Sequence, residues 1–117
     1  MNHSKDVELP FAALHDLGCK ILQKSGTSSK IASQVVDELI KNEVSGYDSH
    51  GILRLIEYVQ SINQGHTIPG NQPIVKQTNK FVSEIDGQKC FGILSSDAAS
   101  KALIDHLERD HLGFVML

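Results

Sequence analysis

Four side chains capable of chemistry fall close together near the middle of the chain: Ser49, His50, Arg54 and Tyr58. His50 and Arg54 are four residues apart and Tyr58 follows four later. On one helix they would be surface neighbours, in a line about 12 Å long. The groups on offer are a hydroxyl, an imidazole, a guanidinium and a phenol. Arg54 is one of two arginines in the chain, the other being Arg109, and its planar fork suits bidentate binding of a carboxylate. Ser49 and His50 would occupy a first helical turn, where free N–H groups and the helix dipole favour negative charge. Gly51 removes a side chain beside them, so a ligand or another backbone can come close. The pattern suggests a small-anion site. The same spacing also describes a solvated helix face, with Asp48 or Ser49 as plain caps.

Other candidates carry less. His106, Asp110 and His111 form a group that could hold a metal, but i+4 and i+5 spacing at a helix end favours a polar terminus, and no metal site is expected. His66 sits in a loop with no evident partner. Residues 31–62 have a helix–turn–helix look, but the second helix is half aliphatic and carries a single Arg in an acidic chain, against nucleic-acid binding. Neither GxGxxG nor Gly-x4-Gly-Lys is present, so no familiar phosphate loop is visible.

The elements that must position the four residues can be read from periodicity and breakers. A first helix is expected from Pro10, with Phe11, Leu14, Leu17, Gly18, Ile21 and Leu22 at helical spacing and Gly26 as its stop. Thr27, Ser28 or Ser29 would cap a second, with Ile31, Ala32, Val35, Val36, Leu39 and Val44 as its stripe and Gly46 as its end. Asp48 or Ser49 would cap a third running to about Gln64, with Gly65 after it. On its wheel Ile52, Leu55, Ile56, Val59 and Ile62 face the core, while His50, Arg54, Glu57, Tyr58 and Ser61 face away. Ile68 to Pro73 is a run of breakers. Ile74-Val75 and Phe81 to Ile85 then read as a strand pair ending at the turn signal Asp86-Gly87. A fourth helix is expected from Asp97 or a neighbouring serine to about His111, with Ala99, Ala102, Leu103, His106 and Leu107 toward a core. Gly113 would end it, and Phe114 to Leu117 would begin a buried strand.

The predicted fold class is therefore α+β: a three-helix unit over residues 1–70, then the start of an α/β domain over 71–117 formed by strands, helix and strand. A chain stopping within an apolar strand is expected to be truncated. Its 117 residues suffice for one domain with a core. The composition, 40% hydrophobic and 21% charged with net charge −3, is that of an ordinary globular protein and lacks a footprint for nucleic acid. No apolar run approaches the roughly 20 residues of a membrane span. The N-terminus is polar, unlike a signal peptide. Cys19 and Cys90 make no CxxC, which suggests reduced thiols and a cytoplasmic setting.

The string Ser45-Gly46-Tyr47-Asp48-Ser49-His50-Gly51-Ile52-Leu53-Arg54-Leu55-Ile56-Glu57-Tyr58, followed by Gly65-His66-Thr67-Ile68-Pro69 and Pro73, resembles the N-terminal part of the malate/L-lactate dehydrogenase family. That family also includes ureidoglycolate, sulfolactate and diketogulonate oxidoreductases. Asp86-Gly87, Gly92 and Leu112-Gly113 fall where its next segment would place them, so the likeness runs from about Pro10 to Leu117. The resemblance implies an oxidoreductase using NAD or NADP on small 2-hydroxy or 2-oxo acids. Its fold would not be the Rossmann type, and the intact protein would be a homodimer about three times this length. Ser49, His50, Arg54 and Tyr58 would contact substrate, with Arg54 on its carboxylate and Ser49 also near the nicotinamide. His50 would be the catalytic group present here, the principal acid–base histidine being expected beyond Leu117. Ser45-Gly46-Tyr47 departs from the Arg-Gly-His of many relatives, and some relatives have Phe at the position of Tyr58, which leaves the substrate open. Two other readings share the sequence: a non-enzymatic helical binding or assembly module, and an inert remnant of a disrupted gene.

Overall fold

Helix α1 (Phe11–Lys24) starts one residue later than expected, because Pro10 has an extended ψ of 147° and stands outside it as the N-cap. Its carbonyl still accepts the first helical hydrogen bond, from the Leu14 amide at 3.0 Å. Helix α2 (Ser29–Val44) is capped by Ser28, whose hydroxyl accepts from the Ile31 amide at 3.3 Å, a contact of the kind worth about 1 kcal/mol. The stops expected at Gly26, Gly46 and Gly65 all have positive φ, at 93°, 81° and 73°, the left-handed conformation that ends a helix at least cost on glycine. This computed structural model describes residues 7–117; the N-terminal residues 1–6, which carried part of the signal-peptide reading, lie outside the described residues.

Leu22, Ile31, Ala32, Val35, Val36, Leu39, Leu55, Phe91 and Leu94 form one buried cluster. Burial of each larger side chain contributes roughly 2 kcal/mol. Gly18 lets α1 seat against this cluster: a Cβ there would lie 3.0 Å from Val36 and 3.4 Å from Leu55. On α1 the expected stripe is narrower than the periodicity suggested. Leu22 is buried, but Phe11 is 63% and Leu17 48% exposed. Phe91 and Leu94 bring the second half of the chain into the same core.

Strand β1 (Ile74–Asn79) pairs antiparallel with β2 (Val82–Asp86), with Val75 opposite Ile85 and Gln77 opposite Ser83. Strand β3 (Phe114–Met116) runs parallel to β2 on its other side, giving the order β1-β2-β3. Along β2, Ser83 and Ile85 are buried while Glu84 and Asp86 are exposed, the alternation of a strand with one covered face. Helix α4 (Gly92–Asp110) is the crossover between the two parallel strands, and the expected helix start at Asp97 is corrected to Gly92. Apolar Phe91, Ile93 and Leu94 hold that extra turn to the helical core. At 19 residues α4 is about 28 Å long. Its front buries Leu94 against α2, while Ala102 and His106 are buried further along. Leu103 and Leu107, expected inward, are 36% and 45% exposed.

The turn signal at Asp86-Gly87 is placed correctly, but the chain reverses one residue later. The Cys90 amide donates to the Gly87 carbonyl at 2.8 Å, across Gln88 and Lys89 at φ of 51° and 56°. Left-handed non-glycine residues cost about 1–2 kcal/mol each. The Asp86 carboxylate accepts from the Gln88 amide, the Asn71 side chain donates to the Gln88 carbonyl, and the Ile68 amide donates to the Lys89 carbonyl. The breaker run at 68–73 thus ties down this turn.

Candidate functional site

The expected third helix is two pieces. Asp48–His50 form a single 3-10 turn, Gly51 is extended at ψ of −151°, and helix α3 spans Arg54–Asn63. Ser49 and His50 are therefore not in the first turn of α3, and the straight line of His50, Arg54 and Tyr58 does not exist. The reason is packing from outside the segment. The Glu43 carboxylate, near the end of α2, accepts from the Ile52 amide at 2.9 Å. The same oxygen lies 1.9 Å from where a Cβ on Gly51 would stand. A continuous helix would place the Gly51–Ile52 backbone elsewhere and leave this carboxylate without its donor.

The break nevertheless brings three of the four residues together. The Arg54 Nε–H donates to the Ser49 carbonyl at 3.0 Å. The Ser49 hydroxyl and His50 Nδ1 are 2.9 Å apart. Arg54 also donates from a terminal nitrogen to the Glu57 carboxylate at 2.6 Å. Both Ser49 and His50 are exposed, and the Arg54 side chain is 35% exposed. Among the described residues His50 Nε2 has no protein partner, so it faces solvent with one edge of the guanidinium.

Tyr58 is placed differently. Its ring packs edge-on against Phe91, with centroids 5.4 Å apart and planes at 67°, on the core side of α3 rather than the polar side. Burial pushes its phenol above its ordinary pKa, offset in part by the nearby Arg54 charge and assisted by Glu57. Ile56, expected in the core stripe, is 62% exposed. The apolar stripe of the wheel drew Ile56 inward, whereas packing against Phe91 turns α3 so that Leu55 and Tyr58, three residues apart, face the core. Glu43 and Phe91, which shape the site from other elements, carry no local sequence signal that points to it.

Two other polar groups look reactive and are structural. His15 on α1 lies 3.2 Å from Asp37 and 3.3 Å from the Ser33 hydroxyl on α2, with Cys19 Sγ at 3.8 Å. Burial, then Asp37 and Asp16, raise the pKa of the Cys19 thiol, which keeps it protonated and unreactive. His106, placed toward a core by the periodicity of α4 and also weighed above with Asp110 and His111 as a polar terminus, is 2% exposed beneath β2. The Ser83 hydroxyl is 2.9 Å from its Nε2 and an Arg109 terminal nitrogen 3.0 Å from its Nδ1. A guanidinium only donates, so Nδ1 accepts and Nε2 carries the proton toward Ser83. That direction cannot activate the hydroxyl. Asp110 is held by Arg109 and Lys80. Among the described residues no His, Cys, Asp and Glu group is arranged to hold a metal ion, and no helix is long and apolar enough to cross a membrane.

The profile of the malate/L-lactate dehydrogenase family matches residues 9–117. The chain belongs to this family. It is 34% identical over 99 residues to hydroxycarboxylate dehydrogenase B of Escherichia coli O157:H7, covering 84% of this chain and 26% of that protein. It is 33% identical over 98 residues to malate/(S)-sulfolactate dehydrogenase of Methanothermus fervidus, covering 82% and 28%. Among solved structures, malate dehydrogenase from Pyrococcus horikoshii OT3 superposes with a TM-score of 0.83 at 26% identity, covering 93% of this chain and 31% of that one. The chain thus spans between about a quarter and a third of the length of these family members.

Proposed function

We propose that this chain is the substrate-side part of an oxidoreductase that interconverts small 2-hydroxy and 2-oxo acids with NAD or NADP. The observation that carries the reading is the exposed Ser49–His50–Arg54 cluster in a member of the malate/L-lactate dehydrogenase family. In this reading Arg54 grips the substrate carboxylate. Its Nε–H and one terminal nitrogen are already engaged, the latter by Glu57. That exposed pair is worth at most about 1 kcal/mol, so a bidentate carboxylate can displace Glu57. His50 Nε2 is left to hydrogen-bond the substrate's C2 oxygen or carboxylate, with Nδ1 steadied by Ser49. The acid–base histidine that moves the proton would lie outside this chain. Tyr58 braces α3 through Phe91 and offers the site only its phenol end.

The cofactor would accept or donate the hydride at C2, held close to it by the Arg54 grip, an orientation effect worth several kcal/mol in favourable cases. The Ser49 hydroxyl is small, exposed and hydrogen-bonding, which suits contact with a nicotinamide amide. Two phosphates and two riboses need more groups than this turn carries, so most cofactor contacts would come from outside it. In the same reading residues 1–70 form the substrate-side unit and residues 71–117 begin a larger α/β domain. The intact protein would be a cytoplasmic homodimer. Exposed Phe114, Met116 and Leu117 at the sheet edge support the presence of a covering element.

The test is a titration of this chain with NADH and with a panel of 2-oxo acids, followed by fluorescence and by the imidazole resonances of His50. The 2-oxo acids are expected to shift His50 weakly and saturably, and Arg54→Ala to remove that shift. NADH is expected to saturate only in a longer form of the protein. An unaltered response in Arg54→Ala would remove Arg54 from the site.

A further inference from the structure

We propose that Glu43 is the positioning residue of this site: its carboxylate sets the Ser49–His50 turn against Arg54. The proposal rests on the anion-site reading above and names the group that gives that site its shape. Helix α2 ends at Val44, and only the turn at 45–53 joins it to α3. Within that turn the amides of Arg54 and Leu55 donate to the carbonyls of Gly51 and Ile52, which ties the start of α3 to the residues just before it. The Ile52 amide takes a side-chain partner instead, the Glu43 carboxylate at 2.9 Å. A carboxylate accepting from a backbone amide is a charge-assisted bond, stronger than a neutral one.

Position 51 makes the arrangement specific. A Cβ there would meet Glu43 Oε2 at 1.9 Å, its Cδ at 3.0 Å and its Cα at 3.3 Å. Glu43 therefore fills the volume in which a side chain at 51 would sit, and Gly51 is buried by it. The carboxylate thus sits at the joint between two halves of the site. On one side are Ser49 and His50, and on the other is Arg54. The bond that spans this joint, from Arg54 Nε–H to the Ser49 carbonyl, holds only while the joint keeps its angle. Glu43 carries negative charge, so it is not itself a ligand for an anion and acts through the backbone it holds.

Two kinds of variant separate this role from a general one in stability. Glu43→Ala removes the acceptor. Glu43→Gln keeps an oxygen that can accept from the Ile52 amide while removing the charge. Gly51→Ala attacks the joint from the other side, since its methyl displaces the carboxylate at a φ of −89° that alanine accepts. The readouts are hydrogen exchange at the Ile52 amide and at the Arg54 Nε–H, with oxalate titrated as a dianion probe and followed at His50. In Glu43→Ala and in Gly51→Ala, both protons are expected to exchange at least tenfold faster, and oxalate to bind at least fivefold more weakly. Glu43→Gln is expected to restore both exchange rates and to bind oxalate at least as tightly as the parent chain. If the Arg54 proton exchanges at the parent rate in Glu43→Ala, the positioning role is overturned. Faster exchange with unchanged oxalate affinity overturns it as well. If the parent chain itself does not bind oxalate, the anion-site reading fails. In that case the Arg54 exchange rates alone still decide whether Glu43 sets the joint.

Discussion

The chain contains two sets of serine, histidine and arginine that differ in where the fold puts them. In the turn before α3, Ser49 lies 2.9 Å from His50, and Arg54 donates to the Ser49 carbonyl. Beneath β2, Ser83 lies 2.9 Å from His106, and Arg109 donates to its other nitrogen. In the buried set both imidazole nitrogens are engaged, and the ring is 2% exposed. In the exposed set one imidazole nitrogen and one edge of the guanidinium face solvent. The same residue types make a structural lock where both imidazole nitrogens are used and the ring is shut away from water. They make a candidate binding site where some are left over.

Substitutions should separate the two sets, and the largest contrast is at the histidines. His106→Ala leaves a cavity and strands Ser83 and Arg109, so it is expected to cost about 3 kcal/mol in denaturant unfolding. His50→Ala, on an exposed turn, should stay within about 0.5 kcal/mol of the parent. Equal losses would erase the distinction. Binding should divide the arginines in the opposite sense. Arg54→Ala is expected to weaken oxalate binding more than tenfold, and kcat/KM for a 2-oxo acid by at least as much in a longer, active form. Arg109→Ala should change oxalate affinity less than twofold.

The serines sharpen the comparison further. Ser83→Ala leaves the buried Nε2–H of His106 without an acceptor, at an expected cost of about 1–2 kcal/mol, whereas Ser49→Ala should be nearly neutral for stability. Competition at the exposed set can be tested at Glu57. Glu57→Gln frees a nitrogen of Arg54 and should tighten oxalate binding roughly two- to fivefold, an effect that fades in high salt. The smallest effect belongs to Asp110, beside the buried set. Hydrogen bonding from Arg109, aided by Lys80, holds its carboxyl below its ordinary 3.8. The stability it lends is present above that value and is lost as pH falls through the lowered one. Asp110→Asn should therefore lower Tm slightly at neutral pH and flatten the acid limb below about pH 4.

The order and type of the elements were legible because they rest on local rules. Gly26, Gly46 and Gly65 stop helices where left-handed backbone is required, Ser28 caps α2, and the breakers at 68–73 separate helices from strands. Residue types also indicated where chemistry could gather: Ser49, His50 and Arg54 do meet. Periodicity could not reveal the break at Gly51, because its cause is Glu43, eight residues away on another helix. Nor could it show that Tyr58 faces inward, since that depends on Phe91, thirty-three residues further on and packed against it only after α4 folds back. The periodicity of α4 pointed His106 toward a core, but a histidine in sequence does not declare which partner lets it be buried. Only the arrival of β2, bringing Ser83, made burial affordable by supplying a partner for its proton. Local conformational preference and side-chain chemistry were thus decided by the sequence alone. Which of the chemically able groups stay open to a ligand was decided by contacts between distant segments, because burial and hydrogen-bond saturation exist only once those segments meet.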